Sequence, residues 1–315
     1  MTLEQLRIFI AVAERQHMTR AAEALGLTQS AVSAAIAALE ARYETALFHR
    51  IGRGIELTAS GRIFLDEARA VVARACAAEL ALVELGSLKR GTLLIQASQT
   101  IASYWLPRHL VAFRRAFPDI EIRLTIGNST QVAKAIAAGV AELGFIEGEV
   151  DEAAMTAEEI DQDELVVVVA SGHPWADHDD LAPSMLTQSD WVLREPGSGT
   201  RSVFESALRA LGVAPEQLRI TLELPSNEAV CAAVLAGAGA TAISALVAEP
   251  GLGAGTLCRV GPALPRRAFR VVWHRERYRS KAAQALLAQI KEARRLRTVA
   301  APVKSADENR VVPAR

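Results

Sequence analysis

Apolar residues in the N-terminal part of the chain recur at three- and four-residue steps, the mark of helices that bury one face. Residues 2–5 (TLEQ) form a capping box, which starts a helix carrying Leu3, Leu6, Phe9, Ile10 and Ala13 on one side. Residues 19–42 (TRAAEALGLTQSAVSAAIAALEAR) predict two helices joined by a tight turn. Thr19 caps the first; Ala21, Ala22, Ala24 and Leu25 keep it small-sided, and Gly26 stops it. Thr28 caps the second, whose Val32, Ile36 and Leu39 form a buried stripe. A third helical run, 58–88, is capped by Thr58 and carries Leu65, Ala68, Val72, Cys76, Leu80 and Val83 as its stripe, flanked by Arg62, Asp66, Arg69, Arg74 and Glu79. Such a stripe is either the core of the next domain or a coiled-coil-like seam between two chains. The seam is preferred, because a helix of this length between two distinct units needs a partner.

Residues 86–91 (GSLKRG) mark a boundary, after which strands and helices alternate. Strands are expected at 92–98 (TLLIQAS), 120–127 (IEIRLTIG), 143–148 (LGFIEG), 165–170 (LVVVVA), 191–194, 220–224 and 269–274 (FRVVWH). Helices are expected at 101–117, at 132–138 before Gly139, from Thr200, from Glu228, and at 281–297. Near-continuous apolar strands in this order predict a parallel sheet covered on both faces. The fold class is thus α/β with an all-α N-terminal part, and two similar α/β units suggest two lobes hinged about a cleft. From Ala300 onward the chain is polar and holds Pro302 and Pro313, which predicts a disordered tail.

The outer face of the second helix opens with Gln29, Ser30 and Ser33, where a recognition helix places its base-reading groups. On its own this stretch equally describes an αα-hairpin of a helical core. Residues 46–56 (ALFHRIGRGIE) shift the balance. They hold no acid before Glu56, while His49, Arg50 and Arg53 cluster around Gly52 and Gly54, as in a β-wing that grips phosphates.

The run AAEALGLTQSAVSAAIAALEARYETALFHRIGRGIELTASG resembles the winged helix-turn-helix of LysR-type transcriptional regulators, with the AAE.L, TQSAVS, I..LE, LF.R and LT..G motifs in register. The resemblance is dense over residues 1–65. It implies a winged helix-turn-helix (1–58), a long linker helix that pairs two chains (59–90), and a two-lobed, periplasmic-binding-protein-like effector domain (91–298), followed by a tail (299–315). Lobe I would hold 91–163 and 268–298 and lobe II 164–267, with crossings near Asp163 and Arg267. Thr19, Thr28, Gln29, Ser30, Ser33, Arg50 and Arg53 would face DNA. Ala34, Ala35, Ala37 and Ala38 stand where many members carry Gln, Arg or Lys, so base discrimination would rest on Gln29, Ser30 and Ser33. The implied partners are double-stranded DNA with an interrupted palindrome, a small-molecule effector, one or three further copies of the chain, and RNA polymerase.

Ligands of open α/β sheets sit beyond the carboxyl ends of strands, at helix N-termini that favour anions. Two stretches fit: Ser98, Gln99 and Thr100 after the first strand, and EPGSGTR (195–201), where Gly197 and Gly199 bare backbone N–H groups, Ser198 and Thr200 add hydroxyls and Arg201 adds charge. Glu147 and Asn227 are further lining groups. Taken singly, Ser98 and Thr200 read more readily as helix caps; together, on matching units, they point to a ligand. The GSGTR turn is similar to that of regulators of carbon-fixation and sulfur-assimilation genes, which implies an anionic effector: sulfite, sulfate or a small carboxylate.

The remaining composition narrows the classes. At 315 residues the chain exceeds one core, and its net charge of −1 excludes a general polycation while leaving room for a basic wing. Cys76, Cys231 and Cys258 lie far apart without CxxC spacing, which predicts reduced, buried thiols in a cytoplasmic protein. Glu4, Arg7, Glu14 and Arg15 interrupt any secretory signal. Residues 229–248 are uncharged and bilayer-length, but Gly237 and Gly239 break them into helix, turn and strand. Catalysis, metal and cofactor are not expected: the six His are scattered, no GxSxG elbow occurs, and GLGAG (251–255) reads as a loop. A solute-binding protein with a helical appendage and a small-molecule enzyme on an α/β scaffold remain the alternatives.

Overall fold

The computed structural model describes residues 1–51, 54–84, 91–149, 154–178 and 181–300. Gly52, Arg53, most of the 86–91 boundary and the tail beyond Ala300 lie outside these residues, as do the side chains of Arg50, Cys76, Leu80 and Val83.

The N-terminal unit is a small helical core with a hairpin attached. Helix α1 (Leu3–Arg15) begins at the capping box, with Gln5 N donating to Thr2 Oγ1 at 3.2 Å and Thr2 N to Gln5 Oε1 at 3.0 Å. It buries Leu6, Phe9 and Val12, whereas Leu3, placed on the same face from the sequence, is exposed. Helix α2 (Met18–Leu25) is capped by His17, not by Thr19. His17 has extended backbone and its ring accepts from Arg20 N, while Thr19 is already inside the first turn. Gly26, at φ 67°, ends α2 in the left-handed region. Helix α3 (Gln29–Tyr43) starts at Thr28, whose Oγ1 accepts from Ala31 N, and crosses α2 at 109°, inside the helix-turn-helix range. Strands β1 (Phe48–Ile51) and β2 (Gly54–Leu57) pair antiparallel as the wing. Glu40 Oε1 fixes the wing to α3 by accepting from Leu47 N at 2.7 Å and Phe48 N at 3.1 Å.

Helix α4 (Ala59–Glu84) corrects the sequence reading of its stripe. Ala68 is buried, and Leu65 and Val72 pack with Phe64 against the core formed by α1 and α3. Arg69 adds an ion pair to Glu14 at 2.9 Å. Over these turns the stripe therefore closes the chain's own N-terminal core, and among the described side chains of α4 the large apolar ones that face outward are Ile63 and Val71.

The C-terminal unit begins with β3 (Gly91–Ser98), a π-helical turn at Ile101–Trp105, α5 (Leu106–Ala116), β4 (Ile120–Gly127), α6 (Ser129–Ala138) and β5 (Leu143–Glu147). Next come β6 (Met155–Ala170), β7 (Asp190–Arg194), α7 (Gly199–Ala210), β8 (Arg219–Leu224) and α8 (Asn227–Leu235). The order closes with β9 (Thr241–Ser244), α9 (Ala245–Gly253), β10 (Leu257–Val260), β11 (Arg266–His274) and α10 (Lys281–Ala300).

The sheet is mixed rather than parallel. β3 runs parallel to β4 and β5, but β11 is antiparallel to both β5 and β6, and β6 is antiparallel to β9 and β10. β4 is an edge strand with much of its surface exposed. β6 starts at Met155 instead of 165: its first half pairs with β11 and its second half with β9 and β10. β7 pairs with β8, and Trp191 bridges to Ala240 beside β9. Asp163 and Arg267, the expected crossing points, are register partners. β10 has no counterpart among the expected strands, and Gly251–Gly253 of the GLGAG run close α9 rather than forming a loop. Among the described residues no single helix is long and apolar enough to cross a membrane. Cys231 and Cys258 are half-buried free thiols, more accessible than expected, and burial pushes Cys231 up to about 11.

One buried histidine joins α5 to the core. His109 is 5% exposed, packs at a tilt against Trp105 with ring centroids 4.4 Å apart, and its Nε2 accepts from Arg108 Nε at 3.3 Å. Burial, followed by the cations Arg108 and Arg297, pushes its imidazole down to about 4. The ring is neutral in the fold but free to protonate below its ordinary 6.5 once unfolded, so stability should fall as pH drops from 6.5 toward 4. His109→Gln should flatten that slope in urea denaturation across the same window. An unchanged slope would show that His109 is not the group responsible.

Candidate functional site

Two surfaces collect the residues singled out from the sequence. On the N-terminal unit, Gln29 and Ser30 are exposed at the start of α3, Thr28 Oγ1 lies 3.1 Å from Ser30 Oγ, and Ser33 is half-buried behind them. Along the exposed face of α3 the next residues are Ala31, Ala34, Ala37 and Ala38, so after Ser33 no polar side chain follows until Glu40 and the exposed Arg42 in the last turn. Exposed His49 lies on β1, on the same wing as the backbone of Arg50.

The second surface is the cleft at the C-terminal ends of β3, β5 and β7, where the two lobes meet. Ser98 ends β3, is 2% exposed, and its Oγ has no hydrogen-bond partner. Gln99 reaches across: its Oε1 accepts from Asn227 N at 2.7 Å and its Nε2 donates to Glu228 Oε2 at 2.6 Å, which caps α8 from the opposite lobe. Asn227 Nδ2 donates to Thr100 Oγ1 at 3.1 Å, and Asn227 Oδ1 accepts from Arg194 Nη1 at 2.7 Å. A π-helical turn follows immediately, a distortion frequent at functional sites, and Trp105 within it donates to Asp161 on β6 at 2.6 Å.

The GSGTR turn docks against the ends of β4 and β5. Gly197, at φ 90°, accepts through its carbonyl from Thr130 N at 3.2 Å. A Cβ on Gly199 would lie 2.6 Å from Glu147 O and 2.5 Å from Ser129 Oγ, so only glycine permits this approach. Ser198 is the N-cap of α7 but makes no side-chain capping bond, which leaves the first-turn N–H groups without a side-chain cap. Neither Ser98 nor Thr200 is a helix cap: Ser98 belongs to β3 and Thr200 lies within α7.

The lobes share a buried ion pair behind this turn. Arg267 Nη2 lies 2.6 Å from Asp163 Oδ2, both side chains being 1% exposed, and Arg267 Nη1 donates to Thr200 Oγ1 at 2.8 Å. Ser244 Oγ donates to the other Asp163 oxygen at 2.8 Å. Desolvation raises the Asp163 pKa above its ordinary value against the pull of Arg267, and the nearby Glu147 charge adds to the rise.

Arg201 is the correction here. Its guanidinium turns away from the cleft to Glu205 at 2.8 Å, Glu223 at 2.7 Å and the Arg194 carbonyl, so it supplies no charge to a ligand. Arg194 is bound to Glu195 and Arg267 to Asp163, so each of these cations is already matched. Asn128, Ser129 and Arg194 were missed, and Arg267 was expected only as a crossing point between the lobes. Asn128 caps α6 and donates to Glu195 at 3.1 Å, joining the lobes, and Ser129 donates to Glu147. The signal for these two was present, since GNST at 127–130 is a third polar strand-to-helix junction of the same kind as SQT and GSGT.

Comparison with known proteins adds an independent line. The LysR substrate binding domain matches residues 86–295, and the bacterial regulatory helix-turn-helix of the lysR family matches residues 3–62. The HTH-type transcriptional regulator YeiE of Escherichia coli K12 is 36% identical over 292 residues, covering 91% of this chain and 96% of YeiE. A probable RuBisCO transcriptional regulator of Cyanophora paradoxa is 32% identical over 294 residues, covering 92% and 91%. Full-length CbnR, solved in complex with its target DNA, has the same fold at a TM-score of 0.68 and 23% identity, covering 93% of this chain and 100% of CbnR.

The crossing pair sets a stability test. Arg267→Leu leaves the Asp163 carboxylate buried without its cation and should cost about 3–5 kcal/mol in equilibrium unfolding. Arg267→Leu combined with Asp163→Leu should recover part of that loss. A double variant as unstable as the sum of the two single variants would refute a coupled pair.

Proposed function

The chain belongs to the LysR family of bacterial transcriptional regulators, and on that footing we propose that it reads DNA as a two-fold oligomer and responds to a small anion held in the cleft between its lobes. The family comprises regulators, not enzymes, and its members join a DNA-binding helix-turn-helix to an effector-binding domain. We take the domain limits as 1–58, 59–90 and 91–298, with lobe crossings at Asp163 and Arg267.

The observation that carries the effector reading is the unpartnered, buried Ser98 hydroxyl at the end of β3, taken with the α7 terminus that has no side-chain cap. Thr100 and Thr200 each accept one bond, which leaves their own hydroxyl hydrogens free to donate. Because Arg194, Arg201 and Arg267 are matched by carboxylates, the anion is held by neutral donors and by the dipole of α7. Sulfite, sulfate and small carboxylates fit this donor set. Cross-lobe bonds from Gln99, Thr100 and Asn128 give the closed arrangement contacts that a ligand can favour, which is the requirement for a ligand to shift a conformational equilibrium.

For the DNA side, the exposed first turn of α3 and the wing support major-groove reading with phosphate contacts, and Ile63 and Val71 offer α4 an outward apolar face for a second copy. A two-fold protein reads an interrupted palindrome, and its place is the cytoplasm, with the DNA and RNA polymerase.

Ser98→Ala with Thr200→Val should abolish effector-dependent thermal stabilisation while leaving affinity for the DNA upstream of its own gene unchanged; loss of both would assign these residues a structural role. Gln29→Ala should relax sequence choice at a cost of about 1–3 kcal/mol to the specific site. Arg50→Ala with Arg53→Ala should instead weaken specific and random DNA alike and flatten the salt dependence, by about 1 unit of log–log slope for each phosphate left without its cation. Random-DNA affinity that stays constant would refute the wing contact.

A further inference from the structure

Glu147 sits at the end of β5 with 3% of its surface exposed, lining a cavity of about 650 Å³ that opens between α6 and α7. One carboxylate oxygen, Oε2, accepts from Ser129 Oγ at 3.2 Å. Among the described residues no protein group donates to Oε1 and no cation forms an ion pair with this side chain. The charge it acts upon is that of Asp163, which is of the same sign. This buried carboxylate lies beside Gly199, the first residue of α7, where a Cβ would come within 3.1 Å of Glu147 Oε2, so it borders the helix terminus to which the preceding subsection assigns the anion.

Two negative groups share a dry cleft only if a proton lies between them or a donor on the ligand separates them. Resting on the anion-site reading, we infer that the effector is an anion that also carries a hydrogen-bond donor, which it gives to Glu147. Two sources provide that chemistry. A partly protonated oxyanion, such as hydrogenphosphate or hydrogensulfite, accepts from Ser98 and the α7 N–H groups and donates its O–H to Glu147. A hydroxy or amino acid uses its carboxylate for the first task and its substituent for the second. Sulfate has the same size and charge as hydrogenphosphate but carries no proton at neutral pH, so it meets Glu147 with bare oxygens. Sites built to hydrogen-bond a ligand hydroxyl reject the analogue that lacks it by roughly 10⁴–10⁵, because the buried partner is left unpaired.

The cavity favours the organic source. Its volume lies within the roughly 300–1,000 Å³ of sites that hold small organic molecules. Ala133, Val203 and Ala207 line its walls, with the exposed Lys134 at the rim. A second carboxylate on the ligand would reach Lys134.

The test is isothermal titration of the full chain at pH 7 with sulfate, hydrogenphosphate, sulfite, lactate and malate. The wild type should bind the best donor-bearing anion at least about 100-fold tighter than sulfate, a conservative fraction of the rejection such sites reach. Glu147→Gln, whose amide donates as well as accepts, should gain sulfate binding and shrink that ratio below about 10-fold. If malate leads the series, Lys134→Ala should weaken it and leave lactate and hydrogenphosphate unchanged. Should hydrogenphosphate or sulfite lead, the inorganic source holds and the donor rule stands. Wild-type sulfate affinity within 10-fold of the best donor-bearing anion overturns the inference while the anion site survives. Failure of every anion to bind removes the site itself. The wild-type ratio decides even if Glu147→Gln does not fold.

Discussion

The pairing of Asp163 with Arg267 is the constraint on which the C-terminal architecture rests. β6 and β11 lie side by side and carry the chain from one lobe to the other, and at that point the Asp163 and Arg267 side chains are both buried while their neighbours Gln162 and Arg266 are exposed. A charge there is tolerable only if it is matched, and the two residues match each other across the ladder. The guanidinium has donors left over, and one goes to Thr200 in the first turn of α7. The element that joins the lobes is therefore bonded directly to the turn proposed to hold the effector. Movement of α7 relative to β5 must either carry Arg267 along or break a buried bond.

The same economy explains why the cleft has so little free positive charge. Arg194 holds Asn227 and Glu195, Arg201 binds Glu205 and Glu223 along the outside of α7, and Arg267 belongs to Asp163. These ion pairs and the Gln99 bridge to α8 lock the strand ends in place. What they leave for a ligand is a set of neutral donors and the buried Glu147 carboxylate, with Lys134 and Glu149 also lining the cavity. An arrangement of that kind selects by hydrogen-bond pattern rather than by charge alone, because unpaired buried groups cost more than a formal charge is worth at a partly hydrated surface.

Local patterns carried most of what could be read in the sequence. The helix-turn-helix was legible because caps, the Gly26 stop and the Val32, Ile36 and Leu39 stripe are all short-range features. Strand direction is not local, so the antiparallel return of β11 turned an expected parallel sheet into a mixed one. The first half of β6, MTAEEIDQDE, did not read as a strand because its acids lie under α10, where Lys291, Arg294 and Arg297 pair with Glu158, Glu159 and Asp161. At the cleft, residue type located Ser98, Thr100, Glu147 and Thr200 correctly at strand and helix ends. It could not tell that Arg201 turns outward, since that depends on Glu223 of a strand distant in sequence. Nor could it show that the α4 stripe packs on its own α1, because a stripe looks the same whichever surface covers it.

One ligand in the cleft and one duplex on the winged unit are proposed to bias the same conformational equilibrium. Linkage makes this directly measurable, because any factor by which the effector changes DNA affinity must equal the factor by which DNA changes effector affinity. The measurement is a titration of the full chain with its tightest-binding anion, with and without a saturating fragment of its own upstream DNA. Coupled sites should show a shift in anion affinity equal to the shift in DNA affinity that the same anion produces. An anion that binds with the same affinity whether or not the duplex is present would contradict the coupling.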